Sequence, residues 1–104
     1  MRQGEVWWAN LPPPAGRRPV LLLSRHEVYR IRSAVTIAPV TTTVRGIPVE
    51  VPLGPEDGMS QPCAVNVDDI GTFKKDRLLR RITELSDEKM REVGRAIEFA
   101  LDLD

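Results

Sequence analysis

A small, mostly antiparallel β-barrel or curled sheet, closed by a carboxy-terminal helix, is the fold class this sequence predicts. Three observations predict it. Short β-prone runs follow one another with proline- and glycine-rich turns between them. Few of those turns are long enough to hold a crossover helix, which argues against a parallel sheet. Only the stretch after Ser86 combines helical spacing with a helix-start signal.

The first run, Gly4 to Asn10 (GEVWWAN), is bounded by Pro12-Pro13-Pro14, which cannot continue a ladder. Trp7 and Trp8 are adjacent in it and must point to opposite faces, one toward the core and the other outward. After Pro14-Ala15-Gly16, the run Arg18 to Ser24 (RPVLLLS) is almost continuously aliphatic, as expected of a strand buried on both faces. His26 to Arg32 reads as a loop or a single helical turn. Ala34 to Thr41 forms the third strand, and Pro39 within it calls for an edge position or a bulge.

Ile47 to Leu53 alternates Val49 and Val51 with Glu50 and Pro52, the pattern of a half-buried edge strand with Glu50 outward. Gly54 to Gly58 is a turn. Cys63 to Ile70 reads as a fifth strand, with Asn66 and Asp68 on the face opposite Val65 and Val67. Leu78 to Leu85 is compatible with helix or strand, and Ile82 and Leu85 suit a short last strand. Ser86 is a good N-cap followed by Asp87 and Glu88, and Met90, Val93, Ile97, Ala100 and Leu101 make one apolar stripe. With 104 residues, no internal repeat and no linker, the chain reads as one domain over 1–104.

Composition bounds the function. One cysteine, Cys63, excludes an internal disulfide, and no apolar run approaches the length of a spanning helix or a signal-peptide h-region, so a cytoplasmic protein without a membrane role is expected. One Cys and one His cannot make a four-ligand zinc site, and no metal or cofactor is expected. Cys63 opens an apolar strand and reads as a small hydrophobe rather than a nucleophile. His26, alone in an arginine-rich loop, reads as a solvated residue.

Fifteen cations balance fifteen anions, but residues 1–52 hold seven Arg against three Glu, a net +4. Twelve of the fifteen cations are Arg, whose planar fork suits phosphate. Gly16-Arg17-Arg18-Pro19 mounts two guanidiniums where a polar loop enters the aliphatic strand, and Thr41-Thr42-Thr43 places hydroxyls at the end of the third strand.

The stretch from Gly4-Glu5-Val6-Trp7-Trp8 through Gly16-Arg17-Arg18-Pro19-Val20-Leu21-Leu22-Leu23-Ser24 resembles the opening of the MazF/PemK family of toxin endoribonucleases. Ile37 to Thr43, Cys63 to Ile70, and Arg81 to Ser86 with the helix after it are also similar, so the resemblance covers nearly the whole chain. It implies an SH3-like barrel with a terminal helix and a homodimer. It also implies sequence-specific, metal-independent cleavage of single-stranded RNA to 2′,3′-cyclic phosphate and 5′-hydroxyl ends, and a small MazE-like antitoxin with an acidic tail. Carried over residue by residue, the functional pair is Arg18 and Thr41. Arg17, Arg25, Arg32, Thr42 and Arg45 are then candidates for RNA contact, and the general base is open. The loop between the first two strands is shorter here than in the familiar members. The competing readings are a CcdB-like gyrase inhibitor and a non-catalytic RNA-binding protein on the same scaffold.

Overall fold

The computed structural model describes residues 1–103. Seven antiparallel strands form one curled sheet: β1 (Glu5–Asn10), β2 (Arg17–Leu22), β3 (Ala34–Thr41), β4 (Glu50–Leu53), β5 (Cys63–Asn66), β6 (Gly71–Lys74) and β7 (Leu78–Glu84). A single helical turn, α1 (Val28–Ile31), joins β2 to β3, and α2 (Asp87–Ala100) is the last element of the described residues. The strand order is β4-β5-β3-β2-β1-β7, with β6 beside the first half of β3. The mostly-β class with a terminal helix, read from the sequence, is the class found.

Two apolar layers follow from the period-2 alternation of the strands. Val6, Leu21, Ala38, Val40, Val51 and Val65 face one way, toward Val93 and Ala96 of α2. Ala9, Val20, Leu22, Val35 and Ile37 face the other way, toward Val28 and Tyr29 of α1. Val20, Leu21 and Leu22 are completely buried, which is why β2 carries no alternation. Ser86 caps α2 by accepting the Lys89 N–H at 3.1 Å. The stripe expected on α2 needs one correction, since Ala96 belongs to it while Leu101 is exposed past the helix end.

Three further expectations are corrected. The run Cys63 to Ile70 is not one strand: the Asn66 side chain accepts the Asp68 N–H at 2.9 Å, and this local bond turns the chain through a 3₁₀ turn at Val67–Asp69. The chain then forms β6, a strand that period and composition do not announce. Pro39 is not on an edge, because β3 is central and pairs with β2 on one flank and with both β6 and β5 on the other. Glu50 lies on edge strand β4, as expected, but is only 7% exposed.

The position of Pro39 has a simple cause. The Thr36 N–H donates to Ser24 Oγ at 2.8 Å, and Thr36 O accepts the Leu23 N–H at 2.9 Å, so the polar groups of Thr36 face β2. Alternation turns the nitrogen of Pro39 to the opposite flank. There β6 has ended opposite Ile37 and β5 begins opposite Val40, so no ladder donor is required.

Gly58 ends a 3₁₀ turn at φ 92° and packs against Thr83, whose hydroxyl donates to Asp57 O at 3.1 Å; a Cβ there would collide with the Thr83 side chain. Glu5, also 7% exposed, ties the amino terminus to β7. Its Oε1 accepts from the Arg2 N–H and Trp7 Nε1, each at 3.0 Å, and Oε2 accepts from Arg81 Nε at 2.9 Å.

Burial pushes the Glu5 carboxyl up, but the hydrogen bonds from Trp7, Arg81 and the Arg2 backbone outweigh it and hold the pKa below the ordinary 4.5. A depressed native pKa means that the unfolded chain binds the proton more tightly. The stabilisation is therefore present above pH 4.5 and is lost as pH falls through the native value. Glu5→Gln should destabilise by about 1–3 kcal/mol in urea unfolding at pH 7 and flatten the fall in stability below pH 4.5; an unchanged midpoint would contradict the assignment.

Candidate functional site

Pairing between β2 and β3 runs Leu22↔Ile37, Leu21↔Ala38, Val20↔Pro39 and then stops. The next rung would join residue 19 to Val40. Since Leu22 O faces β1, where it accepts the Gly4 N–H at 2.9 Å, alternation turns the nitrogen of Pro19 toward β3, and proline has no hydrogen to donate. One rung further, the same register sets Arg18 opposite Thr41. These two residues face each other across strand ends that are not hydrogen-bonded, and both line one cleft of about 130 Å³ with Pro39, Arg45, Glu50, Asn66 and Asp69.

Each side chain in the cleft has a definite origin. Arg18 donates from Nε to Ala15 O at 3.2 Å. That tether to the β1–β2 turn leaves both terminal nitrogens of the fork available. Thr41 Oγ1 accepts the Thr43 N–H at 3.1 Å, which fixes the hydroxyl oxygen and leaves its hydrogen free to donate. Glu50 Oε1 accepts the backbone N–H groups of Arg45 at 2.8 Å and Gly46 at 3.2 Å, organising the loop after β3. Asn66 Nδ2 donates to Asp69 Oδ2 at 3.0 Å. Two guanidiniums, two carboxylates and a hydroxyl therefore share a small polar cleft.

The other sequence-derived candidates are distributed elsewhere. Trp8 pairs with Pro19, so both lie on the opposite face of the sheet, with Arg17 placing its guanidinium 5.3 Å from the Trp8 ring centroid. That face holds a second cavity of about 310 Å³, lined by Trp8, Pro19, Val40, Thr42, Met59 and Ile82 among others. Arg17 and Thr42 thus belong to this apolar side rather than to the cleft. Trp7 packs with the α1 layer and Trp8 lines the cavity, and each is half-buried. Arg25 and Arg32 line a third recess between α1 and β3, and His26 a fourth with Arg30 and Lys75. Cys63 is buried, and burial followed by the charge of Asp57 pushes its thiol up, which suppresses the thiolate.

Sequence reasoning missed Glu50, Asn66 and Asp69 as cleft residues. The signal for Glu50 was a charge in a run otherwise apolar, but strand alternation assigned it to water. Among the described residues no group of three or more His, Cys, Asp and Glu is arranged to hold a metal ion, and no helix is long and apolar enough to cross a membrane.

The role of Pro19 is open to direct measurement. Pro19→Ala restores an N–H aimed at β3, so the amide at position 19 should become protected from hydrogen exchange as pairing extends toward Val40. A rapidly exchanging amide there would show that something other than the missing donor keeps these strand ends apart.

Comparison with known proteins places this geometry. Residues 2–101 match the family described as PemK-like, MazF-like toxin of type II toxin-antitoxin system. The chain is 41% identical over 102 residues to the probable endoribonuclease MazF5 of Mycobacterium tuberculosis, covering 96% of this chain and 92% of that protein. It is 41% identical over 87 residues to the endoribonuclease MazF3 of the same organism, covering 84% of each. Among solved structures, the Mycobacterium tuberculosis toxin MazF-mt6 superposes with a TM-score of 0.89 at 38% identity, covering 96% of this chain and 98% of that one. An endoribonuclease from a mycobacterial species, solved in complex with its cognate antitoxin, gives 0.87 at 31% identity, covering 100% and 97%. With fold and nearly the full length in agreement, this chain belongs to the PemK/MazF family of toxins of type II toxin–antitoxin systems.

Proposed function

We propose that this protein is a toxin endoribonuclease that cleaves single-stranded RNA by transesterification, with Arg18 and Thr41 as its catalytic pair. The observation that carries the reading is their confrontation across the open rung of β2 and β3, within one cleft. A phosphodiester entering there meets a guanidinium fork on one side and a hydroxyl on the other. Attack by the ribose 2′-oxygen concentrates negative charge on the non-bridging oxygens, and two charge-assisted N–H bonds from Arg18 match that charge. Thr41 donates its O–H to the same phosphate. The O2′–P bond forms, the P–O5′ bond breaks, and the departing O5′ takes a proton, leaving a 2′,3′-cyclic phosphate and a 5′-hydroxyl.

Arg45 lies beside the pair on a loop fixed by Glu50 and supplies a further phosphate contact. Arg17 over Trp8 offers a cationic and aromatic platform on the opposite face, suited to a base or to an antitoxin side chain. The relative solved with its cognate antitoxin supports an antitoxin partner for this chain as well. In our reading that partner is MazE-like with an acidic tail, and the toxin acts as a homodimer on RNA in the cytoplasm.

A mixed RNA pool incubated with the protein in EDTA should be cut to cyclic-phosphate and 5′-hydroxyl ends. Arg18→Ala should lower kcat by about 10²–10³, and Thr41→Val should lower it by a smaller factor. RNA left intact by the wild-type protein, or cut at the parental rate by Arg18→Ala, would sink the reading; intact RNA would favour a gyrase inhibitor or a binding-only protein. For the phosphate contact, Arg45→Ala should reduce the slope of log K for RNA binding against log salt concentration by about 0.7.

A further inference from the structure

The transesterification needs an acceptor for the 2′-hydroxyl proton, and neither Arg18 nor Thr41 supplies one. The guanidinium of Arg18 carries donors and no acceptor, and Thr41 is a donor to phosphate. The chain's one histidine, His26, lines a different recess from the cleft. The acceptor the cleft offers is a carboxylate, and it holds two, Asp69 and Glu50.

They differ in how they are held. Asp69 is exposed at the end of a 3₁₀ turn, and its Oδ2 already accepts from Asn66. Glu50 is 93% buried, and only one of its oxygens is used: Oε1 takes two backbone N–H groups, whereas Oε2 is buried without a hydrogen-bond partner. A carboxylate oxygen kept in that state costs stability unless something pairs with it. The register sets it at the right level. Glu50 on β4 pairs with Asn66 on β5, and Asn66 by the same register lies opposite Pro39 on β3, on the face that carries Thr41 two residues on and Arg18 across from it.

We propose that Glu50 is the general base of this site, its Oε2 accepting the proton of the attacking ribose 2′-hydroxyl. The inference rests on the endoribonuclease reading above. The proton passes from O2′ to Oε2 as the O2′–P bond forms, the P–O5′ bond breaks, the departing O5′ is protonated by water, and Glu50 then returns its proton to solvent. The two bonds to Oε1 hold the carboxylate still while Oε2 works, which is what a positioned base requires. The charged groups around it are Arg18 from β2, Arg45 from the loop after β3 and Asp69 beyond β5. On the other side of β4, Glu92 and Arg95 of α2 share a groove with it.

Glu50→Gln separates the base from the clamp, because the amide oxygen still accepts from Arg45 and Gly46 while the amide nitrogen takes no proton. Single-turnover cleavage of an RNA carrying the mapped cut site should fall by about 10²–10⁴ in rate. KM should stay within twofold, as should the affinity for the same RNA with a 2′-deoxyribose at the cut. A Glu50→Gln protein that binds normally and cuts at the parental rate overturns the proposal and leaves the endoribonuclease reading standing, whereas wild-type protein that cuts no RNA overturns both. Should Glu50→Gln fail to fold, the wild-type pH profile decides. Attack assisted by a base of the protein gives a range of pH over which kcat no longer follows hydroxide concentration; a tenfold climb per pH unit continuing to pH 9 means attack driven by hydroxide and overturns the assignment.

Discussion

Everything distinctive in this structure depends on where the hydrogen-bonding between β2 and β3 ends. Two prolines in these strands remove two donors from different flanks. Pro39 loses its donor on the flank where β6 has finished and β5 begins, so the central strand changes neighbours without leaving an amide unpaired. Pro19 loses its donor toward β3, and the ladder stops at Val20↔Pro39. The sheet can therefore curl at its middle and stay open at one end. That opening is the cleft, and its two facing residues are an arginine and a threonine.

The same alternation that builds the two apolar layers divides the arginines. Arg17 and Arg18 are neighbours in sequence and serve opposite faces of the sheet, one over Trp8 beside a largely apolar cavity, the other in a small polar cleft. A neutral chain thus presents two surfaces of different character. The cleft itself balances Arg18 and Arg45 against Glu50 and Asp69, so it does not attract anions indiscriminately. In the function proposed above, the ligand brings a phosphate to the cations and a hydroxyl to a carboxylate, which is the chemistry of a ribonucleotide.

Two buried glutamates show how one residue type serves different ends. Glu5 and Glu50 are each 7% exposed. Glu5 has both oxygens engaged, by Trp7, Arg81 and the Arg2 backbone, and joins the amino terminus to β7 across 76 residues of chain. Glu50 has one oxygen engaged and one without a partner. Full pairing makes a buried carboxylate a structural tie. Incomplete pairing stores free energy that an incoming donor can recover.

By itself the sequence determined what is local: β1 and β2 from a tryptophan pair and an aliphatic run, and α2 from its cap and stripe; through resemblance it also nominated the pair Arg18 and Thr41 on which the proposed function rests. These are legible because period, capping and turn chemistry act within a few residues. Tertiary structure decided the rest. β6 exists because an Asn66 side chain turns the chain early and β3 has a free flank to receive it. Leu101 leaves the apolar stripe because α2 ends at Ala100. Glu50 turns inward because the loop between β3 and β4 uses it as the acceptor for the Arg45 and Gly46 amides, and because pairing of β4 with β5 sets it opposite Asn66; no period-2 rule on β4 contains either demand. Which arginines share a cleft is likewise a matter of register between strands far apart in sequence, and register is set by pairing partners and missing donors, not by the residues' own neighbours.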